Sequence, residues 1–152
     1  MSDPQEHPLK IGFVDDDLED QFFFEEAISK LGISYSLKLF SDCQSLLEYI
    51  QQQDQCFDVI FLDINLPVMD GKECLRALKN DDKCKHIPVL IFSTSEYERD
   101  IDDVYSLGAH RHVVKPYASI NFNTTLKIIF DINWKNQQLV PPRDQFVIKI
   151  SY

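Results

Sequence analysis

FDVIFLDINLPVMDG, running from Phe57 to Gly71, decides the fold. Its first part, Phe57 to Leu62, is a strongly apolar run closed by Asp63, as expected of a strand buried on both faces. Its second part, Ile64 to Gly71, is a turn segment ending in Met69-Asp70-Gly71, whose Asp and Gly suit turn geometry. A helix around Cys74 to Leu78 follows. The same strand-then-helix unit recurs on either side. Upstream, Leu9 to Val14 is apolar and runs into Asp15-Asp16-Asp17, and Leu18 to Leu31 sets Phe23, Phe24, Ala27, Ile28 and Leu31 at helical spacing before Gly32. Ser34 to Phe40 reads as a strand, and Ser41 with Gln44 gives a capping-box signature for a helix through Leu46, Leu47 and Ile50. Downstream, the strand Pro88 to Phe92 runs into Ser93-Thr94-Ser95, and a helix with Ile101, Val104, Tyr105 and Leu107 ends at Gly108. A short strand, His112 to Val114, leads into Lys115-Pro116, and a last helix spans roughly Ser119 to Trp134.

Five such units in strict alternation predict an α/β fold, a doubly wound parallel sheet with helices on both faces. Ligands in such sheets bind beyond the carboxyl ends of the strands. The 152 residues suffice for one core, and 44% hydrophobic with 26% charged residues is an ordinary globular mix. We divide the chain into a tail (1–8), one domain (9–136) and a C-terminal extension (137–152). Fifteen basic against 25 acidic residues give a net charge of −10, which disfavours direct contact with nucleic acid or anionic lipid. The sequence offers no membrane-spanning run and no signal core, so a cytoplasmic location is expected. Cys43, Cys56, Cys74 and Cys84 form no CxxC pair, which argues against zinc, and all four are expected to be reduced.

The polar residues that stand out all lie just past strand ends: Asp15, Asp16 and Asp17, then Asp63, Ser93 and Lys115. One edge of the sheet thus collects carboxylates, a hydroxyl and one ammonium. Neighbouring carboxylates repel unless a cation intervenes, and Mg²⁺ suits a few carboxylates, a carbonyl and waters.

FVDDD, FLDINLPVMDG, PVLIFSTS and HVVKPY, in this order and spacing, resemble the receiver domain of bacterial two-component response regulators, over about Leu9 to Trp134. The resemblance implies a flavodoxin-like, five-stranded sheet of order 2-1-3-4-5, for which a chemotaxis member of the family is the standard illustration. It implies that Asp63 is the phosphoacceptor, with Asp15, Asp16, Asp63 and the Asn65 carbonyl around Mg²⁺. Lys115 would pair with Asp63 and later with a phosphoryl oxygen. Ser93 would act as the switch hydroxyl, the Thr94 amide as a second donor, and Pro116 would follow a cis bond. His112 stands where the family usually has Tyr or Phe, which questions the usual aromatic readout and adds pH sensitivity.

Each piece alone has a plainer reading. Asp15 to Asp17 and Ser93 to Ser95 could be helix caps, Asp70 is expected to be structural, and Asp63 could simply end a strand. The four pieces together, at the ends of the right strands, carry the assignment. Among Phe22, Phe23 and Phe24 we expect core plus one exposed ring. His7, His86 and His110 are expected to face solvent, and Trp134 to pack the last helix.

The expected function is a stand-alone receiver that takes a phosphoryl group from a sensor histidine kinase or phosphotransfer protein. It would catalyse its own phosphotransfer and dephosphorylation without acting on an external substrate. Output would pass through changed contacts of the fourth helix, fifth strand and fifth helix, since the 18 residues after Trp134 are too few for a DNA-binding module. A receiver-like module independent of phosphorylation, a Mg²⁺-dependent phosphohydrolase and an FMN-binding protein are the alternatives weighed. In the extension, Gln145 to Tyr152 (QFVIKISY) sets Phe146, Ile148, Ile150 and Tyr152 on one side of a strand set off by Pro141-Pro142. Such a strand must dock, either on its own domain or across a homodimer.

Overall fold

The computed structural model describes residues 7–54, 56–131 and 140–150. The elements alternate as β1 (Leu9–Val14), α1 (Leu18–Ser29), β2 (Tyr35–Phe40), α2 (Cys43–Gln51), β3 (Val59–Leu62) and α3 (Gly71–Asn80). They continue as β4 (Val89–Ser93), α4 (Glu98–Ser106), β5 (Arg111–Val114), α5 (Asn121–Asp131) and a short β6 (Val147–Ile148). The six strands among the described residues are all parallel, in the order β2-β1-β3-β4-β5-β6. The sheet order implied by the family resemblance is therefore observed, extended by one strand.

Alternation along each strand divides the core in two. Val14, Ile60, Leu62, Val89 and Ile91 face the layer that holds Leu46, Leu75 and Val104 of α2, α3 and α4. Phe13, Phe61, Phe92 and Val113 face Phe24 and Ile28 of α1 and Leu126 of α5. Phe13 and Phe24 stack with ring centroids 4.1 Å apart. Phe22 is exposed and Phe23 half-buried, as expected of that run. Gly32 takes φ 71° just past α1, a conformation that costs little only without a Cβ. No described helix is long and apolar enough to cross a membrane.

Several expectations are corrected. Asp42 caps α2 by accepting from Ser45 N at 2.8 Å, and Gln44 bonds Glu48 instead of closing a box with Ser41. Cys43 and Cys74 form a disulfide, because α2 and α3 pack side by side and bring their Cα atoms to 5.8 Å. Cys56 and Cys84 are free, as expected. His110 is buried, since its N–H continues the β4–β5 ladder to Val89 O at 2.8 Å. Trp134 and Tyr152 lie outside the described residues.

The extension docks on its own domain. A 3₁₀ turn at Arg143–Gln145 precedes it, and Phe146 keeps helical dihedrals (φ −75°, ψ −38°). This breaks the expected period-two sidedness. Phe146 and Val147 pack toward the α2–α4 layer, while Ile148 packs toward the α1–α5 layer.

Candidate functional site

Strand register collects the site. Val14 pairs with Leu62, so Asp15 and Asp63 are the next residues on adjacent strands, and Asp63 N donates to Val14 O at 3.1 Å. On the other side Ser93 pairs with Val114, and Lys115 N donates to Ser93 O at 2.8 Å. The carboxylates thus meet the ammonium at one edge.

Lys115 Nζ, buried, donates to Asp15 Oδ2 at 2.6 Å, Asp63 Oδ2 at 2.9 Å and Asp20 Oδ2 at 2.9 Å. The remaining oxygens take backbone donors: Asp15 Oδ1 accepts from Asp17 N at 3.0 Å, and Asp63 Oδ1 from Asn65 N at 3.2 Å. Asp16 is exposed, and one oxygen each of Asp15, Asp16 and Asp63 lie within 4.8 Å of one another. Burial pushes the Asp15 carboxyl up to about 6, although Lys115 pulls the other way. For Lys115, burial pulls the ammonium down, but Asp63 and Asp15 outweigh it and the net shift is upward. Three carboxylates thus share one ammonium, and exposed Asp16 adds a further negative charge beside Asp15 and Asp63. The donor set, hard oxygens with excess negative charge, fits a divalent cation held by Asp15, Asp16 and Asp63.

Local chemistry shapes the loops around these groups. Asp17 caps α1 through Glu19 N and Asp20 N, and Asp70 caps α3 through Glu73 N, so both are structural. Gly71 lies against the chain after Asp63: a Cβ there would stand 2.2 Å from Asp63 O and 2.5 Å from Ile64 Cα. Only glycine lets α3 start so close to the end of β3. Val68, fully exposed in the same loop, holds a left-handed φ of 64°, a strained conformation for a β-branched residue.

Ser93 is fully buried and its Oγ accepts from Ser95 N at 3.2 Å, so its hydroxyl is engaged within its own loop. Thr94 is exposed. Ser95 Oγ donates to Asp100 at 2.6 Å, and Lys72 Nζ braces Asp100 and Asp103 from α3. His112 is fully buried, and because a carbonyl only accepts, its Nε2 donates to Ser95 O at 2.9 Å. Its Nδ1 has no partner among the described residues, and burial holds the imidazole below its ordinary pKa. The peptide before Pro116 is trans, correcting the cis expectation. Lys115 reaches all three carboxylates from a trans bond, the ordinary state for X–Pro.

Two residues escape the sequence reading. Asp20 lies three positions after Asp17 in the first turn of α1, where an acid reads simply as a helix-dipole partner. Gln21 left a clearer signal, a polar residue in the stripe with Phe24, Ala27 and Ile28. Its buried amide donates to Asp15 O at 2.7 Å and Phe40 O at 3.3 Å, tying α1 to the ends of β1 and β2.

Residues 11–127 match the response regulator receiver domain family. Response regulator Rcp1 of Synechocystis sp. is 31% identical over 120 residues, 76% of this chain and 82% of that protein. The crystal structure of the phosphorylated cyanobacterial phytochrome response regulator RcpA is similar at a TM-score of 0.79 and 28% identity, covering 90% of this chain and all of that one. The Mn²⁺-bound form of Rcp1 gives 0.76 at 26% identity, covering 89% of this chain and all of that one.

Proposed function

The chain belongs to the response regulator receiver family, and from that premise we propose that it is a phosphorylation switch with Asp63 as acceptor. The observation that supports this best is Lys115 Nζ held between Asp63 and Asp15 at the edge where both carboxylates emerge. A carboxylate oxygen of Asp63 attacks the phosphorus of a phosphohistidine on a sensor kinase or phosphotransfer protein. The P–N bond breaks, the P–O bond forms, and the donor imidazole leaves with the electron pair. When bound by Asp15, Asp16, Asp63 and the Asn65 carbonyl, Mg²⁺ supplies charge neutralisation that lets the two anions approach. The Mn²⁺-bound structure of Rcp1 supports a divalent ion in this role.

The chain's own residues do the rest. Asn65 N fixes one oxygen of Asp63, leaving the other toward Lys115. Lys115 pairs with the transferred phosphoryl group, while the Ser93 hydroxyl exchanges Ser95 N for a phosphoryl oxygen and the Thr94 amide donates beside it. Exposed apolar side chains, Leu18 and Phe22 on α1 with Tyr117 and Ile120 before α5, suit docking of the donor protein beside the pocket. We place the exchange in the cytoplasm, where such kinases take phosphoryl groups from ATP.

Output passes through the α4–β5–α5 face, on which residues 140–150 already sit at α4 and β5. The edge position of β6 offers a second copy a strand to pair with, the route we propose for a homodimer. Incubation with a small-molecule phosphodonor and Mg²⁺ tests the switch. Wild type should gain one hydroxylamine-labile acyl phosphate, and Asp63→Asn none. Stoichiometric label on that variant would move the acceptor elsewhere, and no label on wild type would sink the switch itself.

A further inference from the structure

We propose that Asp20 is a positioning residue that draws Lys115 away from the phosphoacceptor and sets the balance between metal-loaded and phosphorylated states. The inference rests on the receiver reading above and concerns a residue that belongs neither to the strand ends nor to the carboxylate cluster of Asp15, Asp16 and Asp63. An ammonium has three N–H donors. All three are taken here, by single oxygens of Asp15, Asp20 and Asp63 at 2.6, 2.9 and 2.9 Å. A phosphoryl oxygen can therefore engage Lys115 only by displacing one of these carboxylates.

The three carboxylates differ in what the reaction does to them. Asp63 loses its charge when it becomes an acyl phosphate, and Asp15 turns its charge to the cation. Asp20, on α1 and with its side chain 21% exposed, has neither duty, so it stays an anion and keeps its claim on the ammonium. At rest that claim helps metal loading, because it relieves Asp15 and Asp63 of part of the lysine's charge. After phosphorylation the same claim competes with the phosphoryl group. The two effects have opposite signs, and no merely structural role produces that.

Asp20→Asn removes the charge while retaining the side chain's shape, and its backbone N–H still donates to the Asp17 cap. Mg²⁺ affinity by calorimetry and beryllofluoride affinity at saturating Mg²⁺ by fluorine NMR are measured on the full chain, with Tm recorded alongside. Mg²⁺ affinity should fall roughly fivefold and beryllofluoride affinity rise roughly fivefold, each about 1 kcal/mol at 1.4 kcal/mol per decade. Asp20→Ala should repeat both signs. Unchanged affinities, or both falling together with Tm, would overturn the proposal. Wild type that binds neither Mg²⁺ nor beryllofluoride would instead overturn the receiver reading.

Discussion

The pocket edge and the β6 edge of the same sheet are built on opposite physics. At the pocket, Asp15, Asp20 and Asp63 crowd one ammonium with Asp16 exposed beside Asp15 and Asp63, and burial holds Asp15 up at about 6. At β6, Phe146 is fully buried and packs edge-on against Tyr105 with ring centroids 4.9 Å apart. Charged contacts there are peripheral: Arg143 reaches Glu98 and Asp102, and Lys149 reaches Glu96. Those acids are all exposed, and such pairs are worth at most about 1 kcal/mol each. A charge excess that costs stability leaves work for an incoming cation, whereas an apolar seat only has to hold. The switch proposed above sits where the molecule is least at ease, and the tail packs on the far side of β5.

The largest expected effect tests the apolar side of this contrast. Phe146→Ala should cost about 3–5 kcal/mol in denaturant unfolding, the range for emptying a fully buried phenylalanine site. Arg143→Ala should cost under about 1 kcal/mol. If the two losses are equal, the seat is held by charge and the contrast fails.

The two edges also differ in how much of them the sequence disclosed. Asp15, Asp63, Ser93 and Lys115 were legible because strand ends of a doubly wound sheet converge, so position along the chain translates directly into position in space. Asp20 was not, because its role depends on the rotation of α1 and on where Lys115 Nζ comes to rest. The tail was legible as a segment that must dock, from its apolar content, but its helical residue at Phe146 carried no local signal. Cys43 and Cys74 are 31 residues apart, and only the packing of α2 on α3 pairs them. Asp42 outcompeted Ser41 as a cap by a single position, a choice that residue types alone leave open.

A smaller effect probes the pocket edge through pH. Asp15 is raised from 3.8 to about 6 by burial, so the native state favours its protonated form. For a raised pKa the stabilising contribution is full below the unfolded value and lost as pH rises through the folded one. Metal-free protein should therefore gain up to about 3 kcal/mol from this group as pH falls from 7 to 4, at 1.36 kcal/mol per unit. Asp15→Asn should flatten that part of the profile, and saturating Mg²⁺ should oppose it, since the metal takes the ionised form. Stability unmoved between pH 7 and 4 in the difference between wild type and Asp15→Asn would show that the carboxylate is not under this stress.

The smallest effect concerns His112, which joins the two edges. Its Nε2 donates to Ser95 O in the loop after β4, and its backbone N donates to Phe146 O at 3.1 Å. Burial lowers its pKa, so the native state refuses a proton that the unfolded chain accepts near pH 6.5. The sign is therefore opposite to that of Asp15: the contribution is present above about pH 6.5 and lost as pH falls toward the depressed value. His112→Phe removes the titration and leaves Ser95 O without its ring donor, which should cost about 1 kcal/mol at pH 8. On acidification toward pH 5 wild type should lose ground to the variant, so the gap narrows or reverses. Because Asp15 titrates in both proteins, subtracting the two profiles isolates the imidazole. A difference that stays flat from pH 8 to 5 would mean that the ring takes up its proton in the folded protein as easily as in water. The link between pocket and tail would then lack its buried neutral element.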